Sequence, residues 1–241
     1  MNVSHYLHLL RISELRTRPL RCPLCGLSIL VRLQKSEAGV RCAGCRAGPA
    51  QLSIAALIRA ECPKLELLDA YEMSSTGPLV EMLQRSVRNL RTSEYLDGVE
   101  SGSEVDGVRC ENVERLSLAD ASFDLCTSTE VFEHVEDDGA GFRELYRVLR
   151  PGGKTVFTVP LNLEGPTIER AVRVDGKLIH RLPAEYHDDL LRGQNQVLAY
   201  RTYGRDIVQR LLDAGFSDAR IDETQVGVYF GFGRGVVIAE K

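Results

Sequence analysis

Four of the chain's seven cysteines fall into two tight pairs, Cys22-Pro23-Leu24-Cys25 and Cys42-Ala43-Gly44-Cys45, separated by 16 residues. Cysteines at this spacing turn both sulfurs toward one point, and two pairs supply the four thiolates of a tetrahedral zinc site with bonds of about 2.3 Å. With every coordination position taken by protein, no place is left for water or substrate, so the expected role is structural. Redox dithiols and unmetallated thiols are the other uses of such pairs. Cys62, Cys110 and Cys126 stand singly in apolar or mixed surroundings and read as buried thiols of a reducing compartment. A second group of reactive side chains lies in residues 180–189, where His180, Glu185, Tyr186 and His187 precede Asp188 and Asp189. His187 beside such carboxylates is the natural proton acceptor of this stretch, and Asp188 or Asp189 would hold its protonated form and raise its pKa.

The elements that must position these groups follow from periodicity. HYLHLLRISEL (5–15) carries Tyr6, Leu9 and Leu10 at helical spacing, and SILVRL (28–33) is a strand-like run between the cysteine pairs. QLSIAALIRAE (51–61) reads as a helix closed by Pro63. Beyond it the chain alternates. LELLDAYE (65–72), TSEYL (92–96), GVRC (107–110), FDLCTSTEV (123–131), KTVFTVP (154–160) and two runs near 217–223 and 234–240 read as seven strands. Helices are expected at 77–91, at 141–150 with Phe142, Leu145, Tyr146 and Leu149 in one stripe, and at 204–214. Strand-helix alternation of this kind builds a doubly wound α/β domain around a mainly parallel sheet. Residues 161–203 break the rhythm with scattered Pro, Gly, His and charge, as an insertion covering a binding site does. The expected division is a helix and zinc-ribbon module over 1–62 and an α/β domain over 63–241.

The net charge of −4 conceals an asymmetry, because residues 1–50 hold eight Lys/Arg against two Asp/Glu while the remainder holds 22 against 32. A solvated basic face and a surface for RNA or an acidic partner are the two readings of the front. No run approaches the roughly 18 apolar residues of a membrane span, and Leu and Arg alternate where a signal peptide needs an apolar core, so a soluble cytoplasmic protein is expected.

In order, LLDAYEMSSTG, TSEYL, CENVERLSLADASFDLCTSTEVFEHV and FRELYRVLRPGGKTVFTVP resemble the nucleotide-binding motifs of class I S-adenosylmethionine-dependent methyltransferases, nearest to their ubiquinone-biosynthesis-like branch. The resemblance spans roughly 65–160. It implies that Glu72 is the acid of the first turn, where Ser74 and Thr76 stand in place of glycines and Gly77 remains. It implies that Glu94 accepts hydrogen bonds from both ribose hydroxyls of the cofactor and that Tyr95 covers the adenine. Asn112 and Val113 would read the adenine edge, and Thr129 and Glu130 would line the floor near the sulfonium. Transfer of a methyl group from sulfonium needs in-line approach more than covalent help. Where the acceptor is a hydroxyl, His187, Tyr186 and His134 are the candidates to assist, His134 also fitting the start of a helix. The reading that follows is methylation, at oxygen, of a small metabolite or saccharide-like acceptor, with no membrane and no particular oligomer implied. An RNA methyltransferase gripping phosphates through the basic ribbon and an inactive binding protein with an eroded glycine turn are the rivals.

Overall fold

The computed structural model describes residues 12–189 and 193–241, with no side chain described from 188 to 196; most of the expected 5–15 helix lies outside this range. The chain opens with a three-stranded antiparallel sheet, β1 (Arg16–Cys22), β2 (Gly26–Arg32) and β3 (Val40–Cys42), whose turns carry the cysteine pairs. Helix α1 (Pro49–Glu61) follows, started by Pro49 at its first position, where a missing N–H costs nothing.

Next come β4 (Asp69–Glu72), α2 (Pro78–Ser86), β5 (Asn89–Thr92), β6 (Phe123–Thr129), α3 (Asp138–Val148) and β7 (Leu149–Thr158). Asp137 caps α3 by accepting from the Ala140 amide at 2.9 Å. The chain ends with α4 (Ile207–Asp213), β12 (Asp218–Asp222) and β13 (Val236–Glu240), after an insertion described below. The central sheet runs β12-β13-β7-β6-β4-β5. Strands β5, β4, β6 and β7 are mutually parallel, and β13 and β12 are antiparallel additions.

Period-two alternation divides the core. Ala70, Leu125, Val156 and Ile238 face α1 and α2, while their neighbours Tyr71, Cys126, Phe157 and Val237 face α3 and α4. The first of these cores also takes in Leu24, Leu30 and Val40 of the cysteine module, which therefore packs through α1 onto the sheet.

The sheet has six strands where the sequence predicts seven. Residues 107–110 turn back instead, Val108–Arg109 pairing with Glu104–Val105 across Asp106-Gly107, both at positive φ. An Asp-Gly pair is the standard tight hairpin turn, and only the single Glu94/Cys110 bridge joins this segment to the edge of the sheet. Pro151-Gly152-Gly153, expected to separate α3 from the fifth strand, bulge out of β7, whose pairing with β6 jumps from Phe123/Leu149 to Leu125/Lys154.

The insertion forms two hairpins, β8 (Ala171–Val174) with β9 (Lys177–His180) and β10 (Tyr186–Asp189) with β11 (Gly193–Leu198). The buried Arg201 fastens it to the body by donating to the carbonyls of Val135 and Glu136, and is itself held within the insertion by Glu169 Oε2 at 3.1 Å.

Candidate functional site

Cys22 Sγ lies 3.7 Å from Cys45 Sγ, Cys25 Sγ lies 3.6 Å from Cys42 Sγ, and all four sulfurs fall within 4.8 Å of one another. A tetrahedron with 2.3 Å arms has edges of about 3.8 Å, so the quartet fits zinc as it stands. Gly44 leaves room here, since a Cβ would stand 3.0 Å from Cys25 Sγ and 3.1 Å from Ser28 Oγ, close enough to press on both. Contact with Cys45 pulls the Cys22 thiol down to about 5, while burial pushes Cys25 up to about 11. Crowded sulfurs ionise at one another's expense, and a dication relieves that competition.

A cavity of about 520 Å³ opens beyond the carboxyl ends of β4, β5 and β6. Chain order reverses there, with β5 on one side of β4 and β6 on the other, the place where open α/β sheets bind ligands. Glu94, Tyr95, Asn112 and Val113 line one end of it, as the sequence predicts. The Glu94 carboxylate is oriented by Ser75, whose amide and hydroxyl donate to Oε1 at 2.7 and 2.8 Å. Asn112 Oδ1 accepts from the Glu114 amide at 2.9 Å, which fixes the turn carrying Val113.

Five of the expected cofactor residues stand off the wall. Glu72 is fully buried behind it, accepting from the Thr127 hydroxyl, and loss of water pushes its carboxyl up to about 8. Thr129, Ser74 and Thr76 are absent from the lining, and Gly77, at φ +112, ends the turn that starts α2. Met73 and Ser93 line the cavity without having been singled out. Ser75, the middle residue of the hydroxylated run 74–76, does the orienting; strand-end geometry, not residue type, selects it.

At the other end Glu130, Val131, His134, Val135 and Glu136 meet Arg173 and Tyr200 of the insertion. Arg173 Nε donates to Glu136 Oε2 at 2.8 Å, and the Tyr200 hydroxyl donates to the same oxygen at 3.3 Å. Glu130 takes the left-handed conformation, φ +54, rare for a side chain with a Cβ. Burial, with help from the Glu133 charge, pushes its carboxyl up to about 7. Of the three catalytic candidates, His134 and His187 are brought together, 3.2 Å apart, and the exposed Tyr186 is not on the cavity. Glu133 and then Glu185 raise His187 to about 9 against the pull of burial. The carboxylates beside this ring are thus Glu133 and Glu185; the side chains of Asp188 and Asp189, proposed from the sequence, lie outside the described residues. Glu133, Glu136 and Arg173 carry no spacing signal, because only the docked insertion makes them neighbours.

Residues 74–157 match the family described as Methyltransferase domain. Among curated relatives, a ubiquinone biosynthesis O-methyltransferase of Parvibaculum lavamentivorans is 33% identical over 90 residues, 37% of this chain and 34% of that protein. A malonyl-(acyl-carrier protein) O-methyltransferase of Pseudescherichia vulneris is 38% identical over 68 residues, 28% of this chain and 27% of that protein. The chain therefore spans about a third or less of the length of these relatives. Among solved structures, an S-adenosylmethionine dependent methyltransferase from Mesorhizobium loti superposes with a TM-score of 0.50 at 17% identity, covering 78% of this chain and 98% of that one. No helix among the described residues is long and apolar enough to cross a membrane. Sequence match and strand order agree: residues 74–157 match a methyltransferase domain, and the body of this chain has the class I methyltransferase fold.

Proposed function

We propose that the chain is an S-adenosylmethionine-dependent methyltransferase acting on a hydroxyl of a small, uncharged or cationic acceptor such as a metabolite or saccharide, with a structural zinc held by Cys22, Cys25, Cys42 and Cys45. The observation that carries the reading is Glu94 on the cavity wall, just past the end of β5 and oriented by Ser75. A carboxylate only accepts, which suits the vicinal hydroxyls of a ribose. The cofactor, when bound, supplies an electrophilic methyl on sulfonium. Tyr95, Asn112 and Val113 give its adenine a wall, and Met73 and Ser93 the floor between adenine and the acceptor end.

The acceptor end supports a neutral or positive partner. Glu130 and Glu136 face it, with Glu94, Asp97 and Glu114 further along and Arg173 as the cation of the lining. Such a wall repels phosphates, which favours a small acceptor over nucleic acid. His134 lines this end of the cavity with His187 3.2 Å from it, and the pair would hold an acceptor hydroxyl and help displace its proton. The malonyl-(acyl-carrier protein) and ubiquinone biosynthesis enzymes among the relatives are O-methyltransferases, and that too supports an oxygen acceptor.

Calorimetry with S-adenosylhomocysteine tests the reading. The wild-type chain binds it. Glu94→Ala, which removes the partner of two hydroxyls, weakens binding roughly 10- to 100-fold, since a hydrogen bond to a charged group contributes about 1.5–3 kcal/mol. No heat at millimolar ligand would instead favour a binding protein that has kept the fold and lost the cofactor.

A further inference from the structure

Residues 226–235, the aromatic, glycine-rich link between β12 and β13, hold a conformation that their side chains resist. Tyr229 and Phe230 stand consecutively at φ +55 and +61, the left-handed region that a Cβ disfavours, and a Cβ at Gly233 would overlap the Gln225 carbonyl oxygen. Strain of this kind persists only where the surroundings over-determine it. Here the cysteine module does so at three points. The buried Tyr229 belongs to the core that Leu24 and Leu30 of the module share. Arg18 of β1 and Arg32 of β2 lie over the Phe230 ring, 4.8 and 5.4 Å from its centroid. Arg234 grips Glu37, in the turn between β2 and β3, through Nε at 3.1 Å and Nη2 at 2.6 Å. A two-point fork fixes the plane of the guanidinium. The main chain is pinned as well, since the Arg234 amide donates to the buried Ser53 hydroxyl of α1 at 2.9 Å.

The same Nη2 that binds Glu37 stands 3.9 Å from Glu130 Oε2. Glu130 lines the acceptor end of the cavity from left-handed backbone, and its Oε1 is buried with no hydrogen-bond partner. The groups that face its carboxylate are Glu133 from the same turn, the Thr158 hydroxyl of β7, Glu37 and Arg234. Of these only Arg234 is positive. Burial and the two neighbouring glutamates favour the protonated carboxyl, and the guanidinium opposes them. We propose that Arg234 is a positioning residue for the acceptor end, and that the cysteine module, by clamping residues 226–235, sets where its guanidinium stands beside Glu130. The module then does more than add stability. It decides whether Glu130 meets an acceptor as a carboxylate, which only accepts, or as a carboxylic acid, which also donates. This consequence for the acceptor rests on the methyl-transfer reading, whereas the placement of Arg234 does not.

The test is carbon NMR of the full chain labelled with 13C at the glutamate side-chain carboxyl, the Glu130 signal being identified by its loss in Glu130→Gln. Its titration midpoint reports what faces the carboxylate. Arg234→Gln removes the cation and should raise the proton affinity of Glu130 roughly threefold or more. Phe230→Leu alters no charge, yet by loosening the clamp it should shift Glu130 in the same direction. Glu37→Gln releases the guanidinium toward Glu130 and should lower that affinity. In the Arg234→Gln background the Glu37 substitution should keep less than about half its effect, because Glu37 acts through the guanidinium. A cooperative thermal transition in each variant shows that it is folded. A Glu130 midpoint indifferent to Arg234→Gln or to Phe230→Leu, or a Glu37→Gln effect as large without Arg234 as with it, overturns the proposal. The expected shifts in a chain whose wild type gives no calorimetric heat with S-adenosylhomocysteine would support the clamp and defeat the methyl-transfer reading, so the two fail separately.

Discussion

Two glutamates that close neighbouring strands have opposite surroundings. Glu94 reaches the cavity with a serine amide and hydroxyl behind it, whereas Glu72, at the end of β4, turns inward and accepts from the Thr127 hydroxyl. Burial raises the Glu72 carboxyl from its ordinary 4.5 to about 8, and the Glu94 charge adds to the shift. The unfolded chain gives up this proton near 4.5, the native one only near 8, so between these values the native state binds more protons and stability falls as pH rises. Glu72→Gln removes that term. Urea midpoints should decline less from pH 5 to pH 8 in the variant than in wild type; equal slopes would show that this carboxylate is ionised in the folded protein. Glu130, strained and also raised in pKa, sits at the opposite end of the cavity, where left-handed backbone aims its carboxylate at the lining.

At the scale of elements, α1 is shared. Its buried face, including Leu52, Ile54 and Ile58, packs in one cluster with Leu24, Leu30 and Val40 of the ribbon and with Leu125, Val156 and Ile238 of the sheet. A ribbon of three short strands buries too little surface to fold unaided, and zinc at the proposed cysteine site would supply the difference. Purified protein should therefore carry about one zinc at the cysteines. Stripping it, or Cys42→Ser, should lower Tm by more than about 5 °C, since in a chain of this size 1 kcal/mol is worth about 2–4 °C. Amide exchange should rise within α1 as well as within residues 16–47. Exchange confined to the ribbon would mean that α1 is held by the sheet alone.

Across the whole molecule, part of the basic front is engaged within the fold, while Arg16, Arg21 and Lys35 stay exposed. Arg18 and Arg32 lie over the Phe230 ring, 4.8 and 5.4 Å from its centroid, and Arg41 donates to the carbonyls of Glu37 and Val40. Arg234 crosses from module to cavity, binding Glu37 at 2.6 Å and approaching Glu130 at 3.9 Å. Single-stranded RNA should consequently bind weakly, with Kd above about 10 μM at physiological salt and a shallow salt dependence, because few phosphates can be neutralised. Tight binding that collapses with salt and is lost on replacing Arg32, Lys35, Arg41 and Arg46 by Gln would reverse the choice between small-molecule and RNA acceptors.

The sequence by itself determined the elements whose signals are local. Cysteine spacing marked the thiol quartet, apolar runs marked β4, β6 and β7, and the resemblance to class I methyltransferases marked Glu94, whereas β5 runs over Asn89–Thr92 and not over the predicted 92–96. The Asp-Gly turn at 106–107 was equally local, and it outweighed the apolar character of 107–110 that predicts a seventh strand. Tertiary structure alone decided the rest. Ser75 rather than Ser74 or Thr76 orients Glu94, because the turn beyond β4 presents one side of itself to β5. Glu133 and His187, 54 positions apart, become partners only when Arg201 locks the insertion onto the 132–136 turn, and contacts between distant segments leave no period or spacing in the chain to read.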